Sequence, residues 1–329
     1  MAEAQGILVV GEVGEAGIEP ITYELMGAAR GIAGDLGQEV AVALLGSGIE
    51  GLAPEVFARG ADRLYLIDDP LLAEYRTDPF LDGLAKVSHE ASPAVILLGQ
   101  TNMGRDLAPR LAFRLGTAVA TDCVALSVRD GRVVMSRPCY GGNVRADFVC
   151  KSTPQMATLR AKTFEPAAPG AGHSGQMAKL ELGMAPEAVR TRVVGRVKAE
   201  AEGVRLEDAE VVVCGGRGLG GAEGFQTLEE LARILGGAVG ATRSACDMGW
   251  YPVANQIGLT GKVVTPALYI AVALSGASQH MAGCSSSKYI VAVNKDPEAI
   301  IFKAARFGIV ADYRQVMPSL VAAVRALKG

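Results

Sequence analysis

The feature that most restricts how this chain can fold is a series of short, almost purely apolar runs of strand length, separated by amphipathic stretches of helical length. Ile7–Val10, Val40–Leu45, Arg63–Ile67 and Ala94–Leu98 are such runs, with helices predicted between them over 20–36, 54–59 and 79–90. A strand without polar alternation has both faces covered. Interleaved with helices, such strands predict a parallel sheet of the α/β type. A helix over 104–115 then leads to a strand over 118–126. Arg129-Asp130-Gly131 separates the β runs Val124–Val128 and Arg132–Pro138 as a hairpin turn, and Gln155–Arg160 is expected to continue this β-rich section. The stretch from Glu165 to Gly175, rich in Pro, Ala and Gly, reads as a loose crossing segment.

The alternation restarts in the second half. Strands are predicted over 210–214, 238–241, 268–274, 289–294 and 308–311, with helices over 225–235 and 297–306. The expectation is therefore two domains, 1–190 and 191–329. The first is a Rossmann-like α/β domain on a parallel sheet, and the second a smaller parallel α/β domain.

Composition narrows the functional classes. Half of the 329 residues are apolar and the formal net charge is −3. No basic stripe is present to follow a phosphate backbone, which argues against nucleic acid. No apolar run approaches the roughly 20 residues of a membrane span, so no direct membrane insertion is expected. The chain begins Met1-Ala2-Glu3-Ala4-Gln5 and passes directly toward a strand, leaving no room for a signal or transit peptide. Six cysteines without a close pair read as reduced thiols of a cytoplasmic protein. Three histidines without ligand spacing make no metal site.

Several loops carry possible chemistry. Gly11-Glu12-Val13-Gly14-Glu15-Ala16-Gly17 has the wrong glycine spacing for a dinucleotide turn, and Glu12 and Glu15 would repel a pyrophosphate. It reads as an ordinary strand–helix loop. Gly215-Gly216-Arg217-Gly218-Leu219-Gly220-Gly221 follows a strand and is either a structural turn or a place where backbone amides approach an anion. It lacks the Lys-Ser/Thr ending of a phosphate-hydrolysing loop. Ser275-Gly276-Ala277-Ser278-Gln279-His280 misses the last glycine of a nucleophile elbow, which leaves a helix start able to bind a phosphate or a flavin edge. His280 alone is either packed or functional. Arg217, Thr242, Ser275, Asn294 and Asp312 all fall at strand ends, where open parallel sheets bind ligands. One nucleotide-type ligand across that edge explains all five.

At these residues the chain resembles the alpha subunit of electron-transfer flavoprotein. The resemblance is carried by Gly215-Gly216-Arg217-Gly218, Val239-Gly240-Ala241-Thr242-Arg243, Gln256-Ile257-Gly258-Leu259-Thr260-Gly261-Lys262, Leu268 to Val272, Ser275 to His280 and Asn294-Lys295-Asp296-Pro297-Glu298-Ala299. Gly104 to Pro109 and Arg137 to Asn143 are weaker echoes. The resemblance implies FAD held by the C-terminal domain and a heterodimer with a beta subunit. Electrons would come from a dehydrogenase, of the acyl-CoA type in many members, and pass to a quinone reductase or similar acceptor. Carried over by position, the FAD contacts are Arg217, Thr242, Arg243, Ile257, Gly258, Leu259, Thr260, Ser275, Gly276, Ala277, Ser278, Gln279, His280, Asn294 and Asp312.

Within that set, Arg243 is expected against the flavin, Thr260 donating toward its N5, and His280 supplying a hydrogen bond near N1, strengthened if protonated. A charge about 4 Å away at an effective dielectric near 20 is worth roughly 4 kcal/mol, enough to tune a carrier. Leu259 stands where many members have glutamine, and Thr242 where serine is frequent. Three other readings stay open: an adenine-nucleotide-dependent oxidoreductase with its own substrate, a non-redox nucleotide sensor, and an electron-bifurcating member of the same family. Unless it bifurcates, such a chain is a redox carrier without an organic substrate of its own.

Overall fold

Strand β1 (Ile7–Val10) is buried along its whole length, and its residues show why the run has no polar alternation. Ile7 and Val9 join one apolar cluster while Leu8 and Val10 join another, one on each face of the sheet. The chain is described by a computed structural model over residues 4–142, 144–170, 174–195 and 204–328. The first residues, where no leader is expected, lie outside that set, as do Asn143, part of the crossing segment and the stretch just after the expected domain boundary.

Past β1 comes a small antiparallel pair, β2 (Val13–Gly14) and β3 (Gly17–Ile18). Helix α1 (Pro20–Leu36) starts with proline in its first turn and closes on Gly37 at φ 63°, the usual asymmetry of helix ends. The alternation continues through β4 (Val40–Gly46), α2 (Ala53–Ala58), β5 (Arg63–Asp68), α3 (Thr77–Ala91), β6 (Val95–Gly99) and α4 (Asn102–Arg114). Thr101 caps α4 by accepting from the Gly104 amide at 3.0 Å.

The predicted strand over 118–126 is two strands, β7 (Val119–Cys123) and β8 (Ala125–Arg129). Asp122 takes φ 63°. The Cys123 carbonyl accepts from Arg160 while the Val124 amide donates to Ser136, so the chain leaves one sheet for another. Strand β8 pairs antiparallel with β9 (Arg132–Cys139), Arg129 opposite Arg132. The two residues between them, Asp130 and Gly131, have φ 51° and 68°, the left-handed pair of a tight hairpin. Strand β10 (Val144–Val149) forms the other edge of this three-stranded sheet.

Strand β11 (Gln155–Leu159) does not extend the hairpin. It inserts parallel between β6 and β7, and β12 (Gln176–Lys179) closes the far edge. The seven-stranded order is β12-β5-β4-β1-β6-β11-β7. The apolar run of β11 fits a buried central position as well as a hairpin strand, and local pattern does not separate the two.

The chain divides into two compact units, Met1–Pro138 with Arg145–Arg196, and Cys139–Val144 with Val197–Gly329. The second is built from β13 (Val211–Gly215), α5 (Gly224–Leu235), β14 (Ala238–Ala241), α6 (Arg243–Asp247), β15 (Leu268–Val272), α7 (Ser278–Met281), β16 (Tyr289–Asn294), α8 (Ile301–Ala304), β17 (Phe307–Val310) and α9 (Tyr313–Lys328). Its five strands are parallel in the order β14-β13-β15-β16-β17. Helix α5 lays Phe225, Leu228, Leu231 and Ala232 onto this sheet, the spacing of a single apolar stripe. The helix predicted over 297–306 shortens to α8, because Glu298 and Asp296 are held in turns started by the Asp296 and Asn294 side chains. Among the described residues no helix is long and apolar enough to cross a membrane.

Candidate functional site

In the second sheet the chain runs from β13 outward to β14, then returns to the other side of β13 as β15 and proceeds to β16 and β17. The switch point therefore lies between β13 and β15, and a crevice opens at the carboxyl ends of these strands. A cleft of about 650 Å³ is found there, within the range of pockets that enclose small molecules and cofactors. It brings together Arg217, Thr242, Arg243, Ile257, Gly258, Leu259, Thr260, Ser275, Gly276, Ala277, Gln279, His280 and Asn294.

Two predicted residues fall elsewhere. Ser278 opens the short helix α7 with its hydroxyl toward Gln279. Asp312 accepts from the Arg314 amide at 2.9 Å, so its carboxylate caps the start of α9. Strand β17 is the far edge of the sheet, two strands from the switch point.

The glycine-rich loop after β13 differs from the anion cradle considered above. The Gly216 amide donates to Val272 O and the Gly218 amide to Ala273 O, both at 3.0 Å. A Cβ on Gly218 would lie 2.7 Å from that Ala273 carbonyl. These glycines let two strand-end loops touch, and two of their amides are engaged within the protein. What the loop presents to the cleft is Arg217. Ala273 itself takes φ 52°, uncommon for a residue with a side chain, and no local sequence signal marks it.

The segment 256–262 is an added edge beside β14. Gln256 bridges to Ala241, and the Ile257 amide donates to Ala241 O at 2.9 Å. The buried Gln256 donates through Nε2 to Thr260 Oγ1 at 2.9 Å. Thr260 thus accepts from inside the protein and keeps its own hydroxyl proton for a partner in the cleft. Gln256 was quoted in the resembling segment but not counted as a site residue. Leu259 is 68% exposed, an apolar surface at the cleft.

Charge in the cleft is mixed. Arg243 Nε lies 3.4 Å from Asp247 Oδ2, one helical turn on, with both side chains more than half exposed. Asp247 and Ser244 also line the cleft, and neither was anticipated. The four-residue spacing on α6 is the signal that pairs the arginine with its carboxylate. The roughly 4 kcal/mol expected of an isolated Arg243 is reduced by this partner and by solvent screening.

His280 departs most from expectation. It is buried; Nδ1 lies 3.1 Å from Ile257 O and Nε2 lies 2.9 Å from Tyr269 Oη. Burial pushes the imidazole down to about 4, despite the raising effect of the Ile257 carbonyl. The ring is neutral at ordinary pH, with both nitrogens engaged by protein. Asn294 is likewise committed, donating to Leu274 O at 2.8 Å and accepting from the Asp296 amide at 3.0 Å. Within the cleft one polar group stands apart: Thr242 Oγ1 is buried at the strand end with no hydrogen-bond partner among the described residues. A buried hydroxyl left unsatisfied is costly, and a ligand accepting from or donating to it removes that cost.

A parallel α/β unit with a polar cleft at its switch point defines a nucleotide-binding domain of the doubly wound class. Residues 7–184 match the electron transfer flavoprotein domain, and residues 205–285 match the electron transfer flavoprotein FAD-binding domain. The chain is 41% identical over 334 residues to the electron transfer flavoprotein subunit alpha of Megasphaera elsdenii, covering 100% of this chain and 99% of that one. It is 39% identical over 330 residues to the protein of the same name from Thermoanaerobacterium thermosaccharolyticum, covering 100% of each. Protein FixB of Rhizobium meliloti is 38% identical over 310 residues, 92% of this chain and 88% of its own. The chain belongs to the electron transfer flavoprotein alpha-subunit family. Its cofactor is FAD, and the cleft residues fit that group: an unpartnered Thr242 hydroxyl, a Thr260 proton available to donate, and two arginines for an anionic ligand.

Proposed function

We propose that the cleft between β13 and β15 holds FAD and that the chain, paired with a beta subunit, works as an electron carrier. The observation that carries this reading is the buried, unpartnered Thr242 hydroxyl inside a cleft of a matched FAD-binding domain. FAD, when bound, supplies the redox chemistry. The chain's own residues bind and orient it. Arg217 and Arg243 bring positive charge, Thr260 donates the proton that Gln256 leaves free, and Leu259 offers apolar contact. The titratable groups lining the cleft are Arg217, Arg243, Asp247 and His280. The histidine is neutral with both nitrogens engaged by the protein. That favours a carrier over an oxidoreductase with its own substrate.

On this reading a dehydrogenase, of the acyl-CoA type, supplies electrons and a quinone reductase or similar acceptor takes them, in the cytoplasm. Residues 1–190 act as scaffold and partner surface, and 191–329 as the FAD-binding domain. The exposed Phe148 and Val149 on the edge strand β10 support a partner contact there. Co-purification of the full chain with its beta subunit tests the proposal by flavin count. One FAD retained by this cleft is expected, with Thr242→Val weakening retention about fivefold, the worth of one neutral hydrogen bond. A flavin-free complex, or a Thr242→Val variant with unchanged affinity, overturns it.

A further inference from the structure

Behind the cleft wall lies a buried polar chain that the functional reading does not use. Tyr269, on β15, is fully buried. Its hydroxyl is 2.9 Å from His280 Nε2, and its other polar neighbours are the thiols of Cys214 and Cys284. His280 Nδ1 is 3.1 Å from the Ile257 carbonyl. The direction of each bond follows by elimination. A carbonyl only accepts, so Nδ1 carries the proton. In a neutral ring Nε2 is then the acceptor, and Tyr269 must donate. The Cys214 thiol, at 4.0 Å from Nε2, is a second and much weaker partner, so the phenol is the strong donor to this nitrogen.

The far end of this chain is the segment that lines the cleft. The Leu259 amide donates to Gln279 O at 2.7 Å, and Gly258 takes φ 144° with only 2.9 Å between a built Cβ and that same carbonyl. Segment 256–262 is thus clamped to α7 at Ile257 and Leu259, and Thr260 rides between those clamps and Gln256. We infer that Tyr269 is a positioning residue for the cofactor: by donating to Nε2 it locks His280 in the Nδ1–H tautomer, and His280 in turn holds the Ile257 carbonyl and the cofactor-facing segment. This inference rests on the FAD reading of the cleft. Without the phenol, Nε2 is a buried acceptor left with only the weak Cys214 thiol at 4.0 Å, the ring samples other orientations, and binding must pay for ordering the segment.

The test uses the full chain co-purified with its partner subunit. Tyr269→Phe keeps the ring and removes only the donor. The expected result is about tenfold weaker FAD retention, about 1.4 kcal/mol, with an altered flavin midpoint potential and absorption spectrum. In a His280→Asn background, adding Tyr269→Phe should change none of these further. Wild-type affinity and potential in Tyr269→Phe, or an equal loss in the His280→Asn background, overturns the inference. A wild-type complex that takes up no FAD overturns the cofactor reading as well, which separates the two failures. Should Tyr269→Phe not fold, ¹⁵N spectra of the wild-type histidine decide: His280 protonated at Nδ1 from pH 6 to 9 is expected, and the Nε2–H tautomer overturns the inference.

Discussion

Arg243 enters the cleft with a counter-ion one turn away, and that single pairing changes what the residue can do. A lone guanidinium favours the reduced, more negative cofactor and raises its potential. Asp247 on the same short helix opposes that effect. Two substitutions separate the contributions: Arg243→Ala should lower the first reduction potential, and Asp247→Asn should raise it, both measured by potentiometry on the FAD-bound complex. Equal potentials in wild type and both variants would remove Arg243 from the tuning of the cofactor. Arg243 was reached through the resemblance carried by Val239-Gly240-Ala241-Thr242-Arg243; the strand-end rule, which needs only local pattern, marked its neighbour Thr242. The state of His280 was not, since its two partners come from 11 and 23 residues away. A lone histidine has no sequence signature for burial between a tyrosine and a carbonyl.

At the scale of elements, the second unit shows where the strand-end rule stops. Asn294 and Asp312 both follow apolar strands, yet only Asn294 reaches the cleft. Strand order decides this, and order is set by long-range pairing. Asp312 instead holds the first turn of α9 through the Arg314 amide. Asp312→Ala should therefore cost about 1 kcal/mol of folding stability, read by urea denaturation, with FAD affinity of the folded complex unchanged; a large loss of FAD affinity at full stability would contradict the capping role. The glycine-rich loop teaches the same lesson in reverse. Its composition fits an anion cradle, but Gly216 and Gly218 serve a close approach to residues 272–274, which only the packed sheet defines.

Across the whole molecule, the two units treat their switch points differently. In the first sheet the point lies between β1 and β6, and the protein's own Glu12 fills it, accepting from Thr101 Oγ1 at 2.6 Å. Burial first, then the nearby Glu19, raises the Glu12 carboxyl to about 7, against the lowering effect of Thr101. A group whose folded value is raised takes up a proton on folding, so its contribution is fully present below the unfolded value and lost as pH climbs through 7. Stability should thus fall between about pH 4.5 and pH 7 by up to about 3 kcal/mol from this group. Urea titrations at pH 5.5 and pH 8 should show a smaller difference in Glu12→Gln than in wild type, and identical differences would refute the assignment. From sequence alone came the parallel α/β class, most strand and helix positions, the tight hairpin turn at Asp130-Gly131 and most of the residues lining the cleft. The strands, helices and hairpin turn follow from apolar periodicity and turn chemistry, which act over a few residues; the strand-end rule marked Arg217, Thr242, Ser275 and Asn294, and the other cleft residues came from the family resemblance. The tertiary structure alone decided that β11 joins the parallel sheet, that Glu12 closes one switch point while the other stays open, and that His280 is buried between the Tyr269 hydroxyl and the Ile257 carbonyl. Each depends on burial and on partners far apart in the chain, so no local pattern could carry it.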